Sequence, residues 1–358
     1  MSLSKEFFED DLGFRVDTSA IDDNYWPHIC LFDSKQMIRS LVRDFDIDLL
    51  ITSSKKIQAA AAFEPPTIIV TMGLALNICK LAARLVGSGV FVKFGETDPK
   101  WSPKEQIATS VIENELQEDI FIWNPAFFPW IDSGERQILY VFLVTSMFRY
   151  IVLHELGHVH FGHGRHRKSN KLLMIDGVHE DCREYLKAID LQAKEVVADG
   201  YALNAMLSYL NYEYSFDQLD PARQMLREKM LPDARHRLRA SLIAAFLVFQ
   251  LLDRLDWTPE EARYASHPPA PFRMKTLYAA SLEQKNLGLP EQQIGEEIRD
   301  THLISHAIIA VGFDKFPNFD WIKSVTTADF DAHFGRIHQN MPKWIGVYSR
   351  GNNIKAKA

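Results

Sequence analysis

The chain has 358 residues, 47% hydrophobic and 24% charged, with a formal net charge of −7. That is an ordinary globular balance, long enough for one large core or two modest domains. The acidic surplus argues against nucleic acid as a partner, because phosphate binding needs a concentrated positive face, and three scattered cysteines without CxxC spacing argue against a disulfide scaffold and for a reducing compartment.

The opening stretch MSLSKEFFEDDLGF carries acidic residues where a signal peptide would need an unbroken apolar run, so the expectation is a cytoplasmic, unprocessed protein. Residues 1–65 read as mostly helical. DSKQMIRSLVRDFDIDLL offers Asp33 or Ser34 as a cap, and places Met37, Leu41, Val42 and Phe45 at helical spacing. Pro65 and Pro66 break that pattern. TIIVTM (67–72) is short and β-branched, hence a strand; LALNICKLAARLV is a helix stopped by Gly-Ser-Gly, and VFVKF a further short strand. From Asp98 to Trp130 a polar helix gives way to a loop rich in Pro and Trp.

Asp132 and Glu135 form a capping box for a long helix that ends near Gly162–Gly164. Inside it, ILYVFLVTSMFRYIVL (138–153) raises the question of a membrane. The run is shorter than the ~20 residues a span needs and Arg149 interrupts it, so it reads as a buried core helix with no membrane partner. The basic run RHRKSNK (165–171) belongs to a solvated loop extending to about Asp181. A second helix covers roughly Arg183 to Tyr209, followed by PARQMLREKM and by the long, largely buried ARHRLRASLIAAFLVFQLLDRL. Thr258, Pro259 and Glu261 supply a cap, a favoured first residue and a capping-box partner. The tail alternates helix with aromatic-rich turns, and Trp321, Phe330 and Trp344 would pack over the core or over a cleft. The expected class is mainly α with a small β-sheet (α+β), in three parts: residues 1–65, 66–282 and 283–358.

Five of the thirteen histidines fall within HELGHVHFGHGRH, 154–166. His154 and His158 are four apart, which on a helix puts both rings on one face, roughly 6 Å apart at Cβ. Two imidazoles so placed can meet one ion at the ~2.0–2.1 Å bonds zinc prefers. Glu155, one step round, is placed as a general base: it reaches water at the ion without ligating the ion itself. A catalytic zinc wants a third protein ligand and an open position. The pattern HExxHxxGxxH fails, with Phe161 and Gly164 at its last two marked positions. LQAKEVVADGYAL supplies the other option, a carboxylate on a second helix. Glu195 would ligate, and Asp199, one turn on, would accept a hydrogen bond from the free nitrogen of a ligating histidine. SHPPAPFRMKTL puts His267 at a rigid junction between helices and Arg273 in the first turns of the next.

With HELGH (154–158), EVVAD (195–199) and HPPAPFR (267–273) in that order, the chain resembles the gluzincin metallopeptidases of the HtpX and CAAX-prenyl-protease type, whose pattern is HExxH, ExxxD, HPxxxxR. The stretch IIVTMGL (68–74) is similar to the strand and Gly-Leu helix start of that family. The resemblance covers about residues 66–282 and departs from the family in an insertion around 88–135 and in lacking the membrane spans; a soluble, Lit-like relative fits better. It implies a zincin-like core, with His154, His158 and Glu195 as zinc ligands, Glu155 as catalytic base and Asp199 behind the ligands. It also implies His267 facing the substrate and Arg273 supporting the site or the substrate carbonyl. His160, His163 and His166 are left as helix-end and loop histidines. The expected function is zinc-dependent hydrolysis of peptide bonds in a protein or peptide substrate, with the strand at 67–72 at a sheet edge where an extended substrate pairs. Two other readings stay open: a non-catalytic zinc-binding regulatory or interaction protein that keeps the fold, and a structural protein with an accidental HExxH. No motif speaks to oligomeric state.

Overall fold

Helix α1 (Trp26–Leu41) starts well before its expected cap, so Asp33 and Ser34 lie inside it. The Asp33 carboxylate is engaged elsewhere, accepting from Arg149 Nε at 2.7 Å and Nη2 at 2.8 Å. The structure is a computed structural model that describes residues 26–41, 47–52, 54, 56–63, 65–91, 134–164, 173–176, 185–252, 258–284, 287–312 and 322–345. The stretch after α1, expected to stay helical, instead supplies strands β1 (Asp48–Thr52) and β2 (Gln58–Phe63). The β-branched Ile51 and Thr52 lie in β1, which runs parallel to β3 (Pro66–Thr71) with Leu50 opposite Ile69. Pairing with a later segment decides their state, and helical spacing within one segment does not register that.

The sheet has four strands among the described residues, in the order β1-β3-β2-β4. Strand β4 (Leu173–Asp176) arises within the stretch read as loop and pairs antiparallel with β2, Ala59 opposite Ile175. Strand β2 also runs antiparallel to β3, Ala61 opposite Ile68. The strand expected at an edge, β3, is therefore internal, and the edges are β1 and β4.

Thr71 ends β3 and caps helix α2 (Met72–Gly87), its Oγ1 accepting from Leu74 N–H at 3.3 Å. Ser88 and Gly89, at φ 72°, close α2 as the Gly-Ser-Gly stop predicts. Helix α3 (Gly134–Phe161) has 28 residues and forms the axis of the molecule. It is long and apolar enough to cross a membrane, yet 83% of its most apolar window is buried inside the fold. Helices α1, α2, α4 (Tyr185–Glu213) and α6 (Ala234–Leu252) surround it, and β2 and β3 lie against it. A helix covered on all sides has no reason to be amphipathic. Arg149, the one charge in the run, is neutralised by Asp33 of α1 and by Glu213 of α4, 3.1 Å from its Nη1. Four successive alanines of β2, Ala59–Ala62, are all buried.

Helices α5 (Pro221–Lys229) and α7 (Pro259–Tyr264) follow their sequence signals, and the capping box at Thr258 and Glu261 is formed. After α8 (Ala270–Leu282) come α9 (Glu291–Gly312), a 3-10 turn (Lys323–Val325) and α10 (Ala328–Ile345). Phe330 and Ile337 of α10 are buried in a second apolar cluster with Ile189, Val196 and Phe272, and Trp344 packs on its border. Most of the VFVKF stretch, the region 98–130, Asp132, the basic run 165–171 and Trp321 lie outside the described residues; Val90 and Phe91 form a bend.

Candidate metal centre

HELGH forms the last turns of α3, and the Nε2 atoms of His154 and His158 stand 3.1 Å apart. Helix α4 crosses α3 at Gly157, where a Cβ would sit 3.1 Å from Ala198 Cα and 3.3 Å from Ala198 O. That approach is open to glycine without displacement of the α4 backbone. It lowers Glu195, one turn earlier on α4, onto the two rings: Oε2 lies 3.2 Å from His154 Nε2, and Oε1 3.3 Å from His158 Nε2. The three side chains are buried, with ligand atoms within 4.8 Å of one another, and could hold a metal ion.

The donor chemistry fits a cation. His154 Nδ1–H donates to Asp199 Oδ1 at 2.8 Å, which fixes the proton there and leaves the Nε2 lone pair facing inward. Glu195 Oε2, though close to that lone pair, has no hydrogen-bond partner among the described residues. Burial opposes charging the His154 ring, but the Asp199 and Glu195 carboxylates outweigh it and carry its pKa up to about 9. The cluster thus draws positive charge, whether a proton or a metal ion. Atoms sharing one zinc at ~2.0–2.1 Å in a tetrahedral shell lie roughly 3.3 Å apart, close to the spacing found here.

Asp199 is itself held. Arg273 donates to it twice, Nε to Oδ2 at 2.8 Å and Nη2 to Oδ1 at 2.7 Å, and Tyr150 OH lies 3.4 Å from Oδ1. Burial alone would raise the Asp199 pKa, but Arg273 and His154 overcome it and hold the carboxyl below its usual value. The Arg273 guanidinium also lies 4.1 Å over the Phe249 ring, and its Nη2 is 3.5 Å from His154 Nδ1. Glu155 is completely buried, and neither carboxylate oxygen has a hydrogen-bond partner among the described residues. Burial pushes its pKa up to about 8, with Glu195 adding to the rise while His154 and Arg273 oppose it.

His267 sits in the turn between α7 and α8, its Nε2 3.5 Å from Glu195 Oε1 and its Nδ1 2.9 Å from Ser266 Oγ. Gln192, on α4, holds this turn: its Nε2 donates to the carbonyls of Ala262 and Ala265, each at 2.8 Å. All seven residues singled out in the sequence therefore converge: His154, Glu155, His158, Glu195, Asp199, His267 and Arg273.

One neighbour escaped the sequence reading. His163 Nδ1 lies 2.8 Å from His158 Nδ1. Its placement follows from the end of α3. Gly162, at φ 66°, takes the left-handed conformation; its N–H bonds Val159 O at 3.1 Å, and His163 N–H bonds His158 O at 3.0 Å. This is a Schellman ending, which folds the second residue past the helix back over the final turn. The available signal was glycine followed by a residue that folds back onto the side chain five positions earlier, here His158. His160 stacks on Tyr201, ring centres 5.1 Å apart; His166 lies outside the described residues.

A protein-family model described as Peptidase U49 matches residues 106–288, just over half of the chain and the span holding every residue of the centre. No curated protein and no solved structure matches.

Proposed function

Since the chain belongs to the Peptidase U49 family, we propose that it is a zinc-dependent metallopeptidase of the gluzincin type, hydrolysing peptide bonds in a protein or peptide substrate. The observation that carries this reading is the meeting of His154 and His158 from α3 with Glu195 from α4 around one point, with Glu155 alongside. Zinc held by those three side chains would acidify water and polarise a peptide carbonyl. Glu155 accepts the proton of the attacking water and returns it to the leaving amine. Among the described residues neither of its oxygens has a hydrogen-bond partner, so both are open to water. His267, with Ser266 hydroxyl at Nδ1, directs Nε2–H toward the oxyanion that develops on the substrate. Asp199 and Arg273 hold His154 in its ligating tautomer. With β3 internal, pairing of an extended substrate falls to an edge; β4 neighbours β2, whose Phe63 touches Gly164 at the end of α3. Burial of α3 supports a soluble enzyme, and the cytoplasm is the compartment the cysteine pattern favours.

The test is Glu155→Gln. The variant is expected to bind zinc stoichiometrically and to lose turnover by at least about 10²-fold. Undiminished cleavage by the variant would remove Glu155 as the base. Stoichiometric zinc in the wild type without cleavage of any member of a broad peptide library would favour a non-catalytic zinc protein.

A further inference from the structure

His154 and His158, the two histidines of α3 that face the centre, are supported unequally. His154 has Asp199 behind it. Among the described residues no carboxylate reaches His158 Nδ1, and its partner there is the ring of His163. A contact between two imidazole nitrogens at 2.8 Å holds one proton, which leaves two arrangements. With the proton on His163, a neutral His158 carries its own on Nε2, the atom that faces Glu195, and cannot ligate. With the proton on His158 Nδ1, Nε2 presents its lone pair to the centre and His163 Nδ1 is the acceptor.

The His163 ring is not free to turn away. It is fully buried, stacked with Phe161 at 5.8 Å between centres, and stands edge-to-face with Trp344 of α10 at 6.0 Å. Lys194, next to Glu195 on α4, donates to the His163 carbonyl oxygen at 2.7 Å, and its ammonium lies 4.0 Å over the Trp344 ring. In a Schellman ending the side chain folded back over the helix is usually apolar; here an imidazole occupies that place and meets an imidazole. Helix α10 lies beyond the residues that the family model matches, so part of this support comes from the chain's own tail.

We propose that His163 is a positioning residue for the metal centre, accepting the Nδ1–H of His158 and so holding His158 in the tautomer that aims Nε2 at the ion. The inference rests on the zinc reading above. It is tested on the full chain by zinc affinity, measured at equilibrium against a chromophoric chelator. His163→Phe keeps a ring in the pocket but removes the acceptor, and is expected to weaken zinc binding roughly 10–100-fold. His163→Gln restores an acceptor with a poorer fit, and is expected to recover most of that loss. A purely packing role predicts the reverse order. Nitrogen NMR of histidine-labelled, zinc-loaded wild type needs no variant: the proton is expected on His158 Nδ1, with His163 Nδ1 bare. His163→Phe binding zinc as tightly as wild type, or a proton found on His163 Nδ1, overturns this inference alone. A wild-type chain that binds no zinc overturns the zinc reading and this inference with it.

Discussion

Glu155 is a carboxyl enclosed by protein, with no hydrogen bond among the described residues to offset the loss of water, and this makes a prediction that does not depend on a substrate. In the metal-free chain its pKa rises from 4.5 to about 8, chiefly through burial. Below pH 4.5 the group is protonated in both folded and unfolded chains and costs nothing. Between pH 4.5 and about 8 the unfolded chain gives up the proton while the folded chain keeps it, so stability falls as pH rises, and above that window the penalty is complete. Glu155→Gln has no such dependence. In thermal melts with chelator present, the variant should match wild type near pH 4.5 and exceed it increasingly toward pH 8. A bound divalent cation favours the ionised form and should shrink the gap. Equal melting temperatures across the window would show that Glu155 is hydrated in the metal-free chain. At this scale the sequence was informative where helical spacing does the placing: His154 with His158, and Glu195 with Asp199. His163 was not legible, because its position depends on the left-handed turn at Gly162 rather than on periodicity.

At the scale of elements, the site depends on how closely α4 approaches α3. A methyl at Gly157 would meet Ala198 Cα at 3.1 Å, Ala198 O at 3.3 Å and Tyr201 Cβ at 3.3 Å. Two of those atoms are backbone, so relief requires α4 to move, and Glu195 moves with it. Replacing glycine by alanine inside a helix gains about 1 kcal/mol of propensity, whereas overpacking costs about 1–3 kcal/mol. We expect Gly157→Ala to lose about 1 kcal/mol net in denaturant titrations and to bind zinc more weakly than wild type. Unchanged zinc affinity would mean that α4 shifts along a direction that spares Glu195. The long helices were readable because their signals are local: the apolar run of α3, the capping box of α7, the prolines before α8. Strands β1 and β4 were not, because short segments become strands only through partners distant in the chain.

Across the whole molecule, the matched family span ends at residue 288, but the fold does not. Phe330 and Ile337 of α10 bury themselves against Ile189 and Val196 of α4 and Phe272 of α8, the helices that carry Glu195 and Arg273. His333 adds a polar link. Burial, with Arg263 and Arg336 nearby, drives its pKa down to about 4, so the ring is neutral. Its Nε2–H donates to Gln192 Oε1 at 2.8 Å and its Nδ1 accepts from Tyr185 OH at 3.0 Å. Gln192 in turn secures the turn that holds His267. A chain cut after residue 288 would expose this cluster, at about 1.5–3 kcal/mol for each large apolar side chain uncovered. It is expected to lose cooperative melting and stoichiometric zinc. A truncated chain that melts cooperatively and retains zinc would show that the tail is dispensable.

Alternate residues of Ala59–Ala62 in β2 bring only methyl groups to the sheet face against which the histidine-bearing helix rests. Bulkier substituents there would tilt that helix and disturb the grip on the ion without touching a single reactive atom. A randomised library scored for activity would therefore lose survivors at positions whose chemistry is blank, as surely as at the histidines themselves.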